Sequence, residues 1–125
     1  MSMAATSLNY PEVEKRLFEA LPQLVPTYRE EFSYWVDWEK PPGSYLVFAM
    51  VVVPFLVAQL DDPGDGQALA RLFAFFEEMA ASGDPEVRNL LKSEVVQKLV
   101  RDPGHLAKGQ KHMGPQVRAL LPTVR

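Results

Sequence analysis

Apolar residues recur along this chain at the spacing of helix faces, in segments that short runs of Pro, Gly and Asp separate. The segments are about 10 to 18 residues long, which is typical of helices and longer than most strands. The separating runs are of the kind that ends helices, and they lie at residues 22–26, 40–43, 61–66, 82–85 and 102–104. The pattern therefore predicts an all-α fold with about six to seven helices.

The first two segments predict amphipathic helices. One is predicted from Pro11 to Leu21, because proline is favoured at the first position of a helix. The next is predicted from Pro26 to Glu39. Tyr34 and Trp38 lie one turn apart and about 120° from the apolar stripe of this helix. They could form an exposed aromatic pair that anchors a partner, or they could pack in the core. The stripe itself consists of Tyr28, Phe32, Trp35 and Val36.

The most hydrophobic segment is the uncharged run Tyr45–Ala58, which Ser44 precedes as a suitable N-cap residue. A membrane-spanning helix needs roughly 20 residues. This run has fourteen, and Pro54 interrupts it. We therefore predict a buried helix in the core of a soluble domain, kinked or ended at Pro54. The same run could also form the interface of a homodimer.

Another helix is predicted from Gly66 to Ala81, with Gly83 as its C-cap. Asp84, Pro85 and Glu86 then form the strongest helix start in the chain. Aspartate caps the first turn, proline suits its first position, and glutamate interacts favourably with the helix dipole. In the preceding helix, Glu77 and Glu78 are turned away from an apolar face made by Leu69, Leu72, Phe73, Phe76 and Ala80.

The helix that follows Asp84 carries two apolar stripes that do not align. We therefore predict a kink at residues 92–94, or two short helices. A straight helix would bury Glu94, with Lys98 one turn away as its partner, whereas a kink would expose Glu94. The first stripe consists of Val87, Leu90 and Leu91, and the second of Val95, Val96, Leu99 and Val100.

The C-terminal segment is predicted to hold a loop or weak helix from Pro103 to Met113 and a last short helix from Pro115. In that last helix Val117, Leu120 and Leu121 face inward. Consecutive helices of this length with short breaks suggest stacked antiparallel pairs, as in a short HEAT-like solenoid, or an irregular helical bundle. All 125 residues are expected to form one domain, with residues 1–9 as a loose tail.

Composition supports an ordinary core. Of the 125 residues 47% are hydrophobic and none is cysteine, and a chain of this length can bury a core without metal or disulfide bonds. Residues 1–9 contain no basic residue and no apolar run of the kind found in a signal peptide, so a cytoplasmic location is expected.

Chemically reactive groups are sparse in this sequence. His105 and His112 are seven residues apart, too far to share a metal ion without a third ligand, and we interpret them as surface histidines. The glycines at 64 and 66 resemble a dinucleotide-binding motif, but no strand precedes them, so we interpret them as a turn. The sequence predicts no catalytic residue, no metal ligand and no cofactor, and hence a protein that is not an enzyme.

Charge is distributed unevenly along the chain, although the net charge is −3. Residues 1–86 hold fourteen acidic and five basic residues, a net of −9, whereas residues 87–125 hold two and eight, a net of +6. The two halves could neutralise each other, or the acidic part could meet a basic protein. Alternatively, nucleic acid could bind the basic residues of the C-terminal third, namely Arg88, Lys92, Lys98, Arg101, Lys108, Lys111 and Arg118.

Four stretches together carry a family resemblance. Leu21-Pro22-Gln23-Leu24 leads into a helix with Tyr28-Arg29-Glu30-Glu31, and three further stretches cover residues 69–78, 82–91 and 113–121. This arrangement resembles a family of small all-helical bacterial proteins found among the immunity proteins of polymorphic toxin systems. The resemblance implies a non-enzymatic protein that binds and neutralises a partner, usually a toxin domain encoded nearby.

The leading functional hypothesis is therefore an immunity-type protein that occludes a partner protein. The alternative is a helical nucleic-acid-binding or regulatory protein that uses the basic C-terminal third. For the leading hypothesis the expected partner-binding residues are Tyr34, Trp38, Asp61, Asp62, Asp65, Glu77, Glu78, Asp84 and Glu86.

Overall fold

A computed structural model of the chain describes residues 8–34 and 42–122. These residues form seven helices and no strand, which confirms the predicted all-α fold. Helix α1 begins with a 3-10 turn at Tyr10–Glu12 and continues as an α-helix at Val13–Ala20. The others are α2 at Leu24–Glu31, α3 at Ser44–Asp61, α4 at Gln67–Ala80, α5 at residues 85–100, α6 at Pro103–Gln110 and α7 at Pro115–Arg118.

Two helices organise the packing. Helix α4 contacts α1, α3, α5 and α7, and helix α3 also contacts α2, α5 and α6. In a solenoid each repeat contacts only its neighbours along the chain, whereas α1 with α4, α3 with α6 and α4 with α7 are separated by intervening helices. Of the two architectures predicted from the sequence, the irregular bundle describes these contacts.

The core is continuous and centred on α3, α4 and α5. Phe48, Leu56, Phe76 and Leu90 are among its fully buried side chains. Among the described residues α3 is the one helix with the length and composition of a membrane span, and it has 18 residues, four more than the apolar run from which it was predicted. It contacts four other helices, which places it within the packed bundle.

Both α3 and α5 contain a π turn, in which the backbone N–H bonds to the carbonyl five residues earlier. In α3 the turn is Phe48–Val52 and the N–H of Val53 bonds to the carbonyl of Phe48. In α5 the turn is Lys92–Val96, so the place where the sequence predicts a kink or two short helices holds a π turn within one continuous helix. The π turn of α3 ends two residues before Pro54, where the sequence predicts that the helix is kinked or ends. Glu94, in the π turn of α5, is half-buried.

Asp84 caps α5 as predicted. Its Oδ1 atom accepts a hydrogen bond from the N–H of Glu86 at 2.9 Å, and its Oδ2 atom accepts one from the N–H of Tyr10 at 2.8 Å. These bonds, the one from Tyr10 first, lower the pKa of Asp84. The buried hydroxyl of Ser82 donates to the carbonyl of Leu8 and accepts from the N–H of Asp84 at 3.0 Å. Leu8, predicted to lie in a loose tail, is buried, whereas residues 1–7 lie outside the described residues.

Several predicted helix ends are wrong. Helix α2 begins at Leu24, two residues before Pro26, and ends at Glu31 instead of Glu39. Proline needs no N–H partner within the first turn, so it can occupy the third position of a helix as well as the first. Gly83 is not a left-handed C-cap, because α4 ends at Ala80 with Ala81 as its C-cap residue, and the described residues with positive φ are Gly64 and Gly66.

Two further local predictions need correction. Gly43, not Ser44, is the N-cap residue of α3, and the Ser44 hydroxyl instead donates to Oε2 of Glu14 at 3.0 Å. Burial raises the pKa of Glu14 and this hydrogen bond partly opposes the rise. The segment predicted as a loop or weak helix after Pro103 is the regular helix α6, and Asp102 accepts from the N–H of His105 at its start.

Candidate functional site

His105 joins the end of α3 to the start of α6. Its Nδ1 atom lies 2.5 Å from Oδ2 of Asp102, and its Nε2 atom lies 2.8 Å from Oδ1 of Asp61. The His105 side chain is only 19% exposed. Lys108, one turn further along α6, donates to the same Asp61 oxygen at 3.4 Å. We call Asp61, Asp102 and His105 the histidine clasp.

The clasp favours a charged imidazole. An ionised carboxylate only accepts hydrogen bonds, so both ring nitrogens of His105 donate and the ring is doubly protonated. The bonds to Asp61 and then to Asp102 raise the pKa of His105 above its ordinary value of 6.5. The bond from His105 in turn lowers the pKa values of Asp61 and Asp102 below their ordinary 3.8. The three groups of the clasp therefore stabilise one another in their charged forms.

The clasp predicts a pH-dependent contribution to stability. A raised histidine pKa stabilises the fold fully below about pH 6.5, and this contribution is lost as the pH rises through the raised value. The lowered aspartate pKa values stabilise the fold above about pH 4, and that contribution is lost as the pH falls through them. We expect the melting temperature of the wild type to exceed that of a His105→Gln variant most near pH 5 to 6 and least near pH 9.

A His112→Gln variant is the matched control, since the exposed His112 ring stacks on Phe73 at a centroid distance of 5.7 Å and forms no ion pair among the described residues. An NMR titration provides the direct measurement. The His105 ring should titrate above pH 6.5 in the wild type and closer to that value in Asp61→Asn and Asp102→Asn variants. A wild-type value at or below 6.5 would contradict the clasp.

The clasp was missed in the sequence, where both histidines were interpreted as surface residues. That interpretation is wrong for His105. A local signal existed, because Asp102, Pro103 and His105 repeat the cap-and-proline pattern of Asp84, Pro85 and Glu86. The second carboxylate had no such signal, because Asp61 lies 44 residues away along the chain.

The turn after α3 places two more carboxylates beside the clasp. Asp62 and Asp65 are exposed, and we call Asp61, Asp62 and Asp65 the acidic corner. Gly64 and Gly66 adopt left-handed φ values of 61° and 79°, which other residues rarely tolerate. Oδ1 of Asp65 accepts from the N–H of Gln67 at 3.0 Å, which fixes the start of α4. The glycines at 64 and 66 therefore form a turn, as predicted.

The remaining predicted acidic residues lie at the other end of α4. Glu78 pairs with Arg16 at 3.2 Å, Asp84 caps α5, and Glu86 accepts a hydrogen bond from the Tyr45 hydroxyl at 2.9 Å. Helix α4 has 14 residues, so it separates these groups from the acidic corner by about 20 Å. The structure therefore divides the predicted acidic surface into two groups.

Glu77 has an internal role. Its carboxylate accepts from the N–H of Gln116 at 2.6 Å and from the N–H of Val117 at 3.1 Å, so it caps α7 from another helix. A Cβ atom at Gly114 would lie 2.6 Å from this carboxyl group, which accounts for glycine at that position. Glu77 is thus engaged within the fold instead of being free to contact a partner.

The two predicted aromatic anchors have different outcomes. Tyr34 is 75% exposed, the most exposed of the large hydrophobic side chains described. An exposed aromatic side chain of this kind is available to a partner. Trp38 lies outside the described residues.

Few of the basic residues of the C-terminal third neutralise the acidic half directly. Lys108 and His105 contact Asp61, whereas Arg88 and Arg118 donate to backbone carbonyls of Ser82 and Met113. Among the described residues, the ion pairs do not include Lys92, Lys98, Arg101 or Lys111.

The geometry of the clasp is not that of an acid–base catalyst. Both nitrogens of His105 are occupied by carboxylates, which leaves neither nitrogen to take a proton from a substrate. Among residues 8–34 and 42–122, no group of three or more His, Asp or Glu side chains is arranged to hold a metal ion. What this region offers chemically is a fixed set of carboxylates at the surface.

Comparison with protein families matches residues 14–121 to a domain of unknown function, DUF7674. The chain belongs to this family. The matched part of this DUF7674 domain includes the histidine clasp, the acidic corner and helices α2 to α7. The chain has no significant match among curated proteins or among solved structures. A function for this DUF7674 domain must therefore be argued from its own residues.

Proposed function

We propose that this domain is a non-enzymatic protein-binding module that neutralises a basic partner protein by covering its functional surface. The observation that carries the proposal is the acidic corner, in which exposed carboxylates are held on a restrained turn. Its three aspartates lie within residues 61–66, which contain no basic residue. Lys108 and His105 face Asp61, and Asp62 and Asp65 remain for a partner.

Restraint matters because ordering a loop on binding reduces affinity. Here Asp61 is held by the clasp, Pro63 fixes one backbone angle, and Asp65 bonds to the start of α4. A carboxylate surface that is already ordered loses little conformational entropy when a partner binds. It also attracts a basic partner from a distance, which raises the association rate.

The resemblance to immunity proteins supports a more specific form of the proposal, in which the partner is a toxin domain encoded nearby and binding takes place in the cytoplasm. Tyr34 would then supply an aromatic contact outside the acidic corner. An exposed tyrosine contributes contact area with few rotatable bonds to immobilise.

Charge reversal at the acidic corner tests the proposal. We expect an Asp62→Lys, Asp65→Lys double variant to bind the toxin-like protein encoded by the neighbouring gene about tenfold or more weakly than the wild type. Most of the loss should appear in the association rate at low salt. The melting temperature should change little, because the Asp62 side chain forms no hydrogen bond among the described residues and the Asp65 side chain forms a single exposed one.

A Glu12→Lys, Glu19→Lys variant is the matched control. It changes the net charge by the same amount at two exposed positions of the 3-10 turn and α1. Equal loss of affinity in both double variants would indicate a general charge effect, and no loss in either would remove the acidic corner as the binding surface.

The alternative function, nucleic-acid binding, is favoured by the unpaired basic residues of α5 and its C-cap. Lys92, Lys98 and Arg101 carry no ion pair among the described residues. Fluorescence anisotropy with labelled DNA and RNA at about 150 mM salt distinguishes the two functions, since affinity from several phosphate contacts falls steeply with salt. Sub-micromolar binding at this salt concentration would favour nucleic-acid binding.

A homodimer through α3 is a further hypothesis. The Leu46 side chain of α3 is 37% exposed and could contact a second copy of the chain. Analytical ultracentrifugation tests this hypothesis by measuring the oligomeric state.

A further inference from the structure

The π turns of α3 and α5 contact each other, and a cleft opens where they meet. Its volume is about 240 Å³. One wall is formed by Ala49 and Val53 of α3, and the other by Ser93, Glu94 and Lys98 of α5 and by Arg101 directly after it. We call this the π cleft. Single π turns inside α-helices are frequent at functional sites, and here two of them meet at one cleft.

Local chemistry explains why the cleft is open and polar. The small side chains of Ala49 and Ser93 leave room where the two turns approach. The carbonyl of Ala49 also lacks its usual helical donors, because the Val53 N–H bonds to Phe48 and Pro54 has no N–H. The α3 side of the cleft is formed by the small side chain of Ala49 and by Val53.

The charged residues of the cleft lie in the second half of α5 and directly after it. Glu94 is part of the π turn, Lys98 belongs to the regular turn that follows, and Arg101 is the C-cap residue of the helix. None of them takes part in an ion pair among the described residues, and Arg101 makes only a long 3.5 Å bond to Gln97. The cleft thus presents two cationic groups and one carboxylate that form no ion pair among the described residues, and the charge of Lys98 also acts on Asp102, whose pKa it helps to lower.

We propose that the π cleft binds a free aliphatic α-amino acid. The carboxylate of the ligand lies between Lys98 and Arg101, where an arginine can form a bidentate contact. The ammonium group of the ligand contacts the carboxylate of Glu94, which lines the same wall of the cleft as Lys98 and Arg101. The aliphatic side chain packs on Ala49 and Val53. A cleft of about 240 Å³ has room for a ligand of this size.

Titration calorimetry with leucine, and with two analogues that each lack one charge, tests the proposal. The analogues are 4-methylpentanoate, without the ammonium group, and 3-methylbutylamine, without the carboxylate. We expect leucine to bind the full chain with a Kd of about 1 mM or below, and at least about tenfold more tightly than either analogue.

Variants assign the binding to the cleft. Lys98→Gln and Arg101→Gln should each weaken leucine binding by about tenfold. Glu94→Gln should weaken leucine binding and leave the affinity for 4-methylpentanoate unchanged. Lys92→Gln is the matched control on the same helix, because Lys92 borders a different cleft with Leu120 and Pro122. Melting curves without ligand establish that each variant is folded.

Three results would overturn the proposal. One is the absence of saturable heat with leucine, valine and methionine at about 10 mM. Another is binding of 4-methylpentanoate as tightly as leucine, which would make the cleft a simple anion site. The third is leucine binding that survives the Lys98→Gln, Arg101→Gln double variant, which would place the ligand elsewhere.

Discussion

Replacing Phe76 with alanine is expected to lower the free energy of unfolding by about 3–5 kcal/mol. Phe76 is fully buried in α4, the helix that contacts four others, and its ring meets that of Phe73 edge to face at 5.3 Å. The substitution removes apolar contacts on several sides and leaves a cavity that neighbouring helices cannot fill without moving. Urea denaturation followed by circular dichroism measures the change.

Two control variants separate burial from aromatic character. Phe76→Leu keeps most of the apolar volume, so its cost should be clearly smaller. Tyr34→Ala removes a large aromatic side chain that is 75% exposed, and its effect should stay within about 0.5 kcal/mol. A Phe76→Ala variant as stable as the wild type would contradict the central position of α4 in the core.

A Ser82→Ala substitution should lower the free energy of unfolding by about 2–3 kcal/mol, a large effect for the loss of one oxygen atom. The Ser82 hydroxyl is buried between two backbone groups, the carbonyl of Leu8 and the N–H of Asp84. Alanine leaves the Leu8 carbonyl and the Asp84 N–H without this hydrogen-bond partner. Buried polar groups that lack a partner lower the free energy of unfolding. The same denaturation experiment measures the loss.

A second readout tests the mechanism of the Ser82 effect. Because Asp84 also holds the N–H of Tyr10, loosening the Ser82 contact should speed hydrogen exchange at the Tyr10 amide. Ser33→Ala, at an exposed position after α2, should change neither quantity measurably. Loss of stability without faster exchange at Tyr10 would indicate that Ser82 acts elsewhere than on the N-terminal segment.

The features that the sequence predicts correctly are local ones. The Asp84 cap follows from three consecutive residues, and the irregularity at residues 92–94 follows from two apolar stripes within a single helix. The misaligned stripes of α5 require an inserted residue, and the π turn supplies it. The ends of α2 were predicted wrongly because proline fits anywhere in the first turn of a helix, so Pro26 does not fix where that helix begins.

The features that the sequence does not predict depend on distant pairs. Asp61 meets His105 across 44 residues, and Glu77 meets Gln116 across 39. Neither pair has a spacing rule, since each depends on which helices become neighbours in the bundle. For the same reason the sequence predicted a single acidic surface. In the structure, helix α4 separates the acidic corner from Glu78, Asp84 and Glu86.

The cap that Glu77 provides has a consequence for how the chain folds. Helix α7 has four residues and no side-chain cap of its own, so it is too short to form in isolation. Its first N–H groups acquire their acceptor only once α4 is in place. The carboxyl-terminal end should therefore order late, after α4 has docked, and during synthesis it should remain open until the rest of the domain has already assembled.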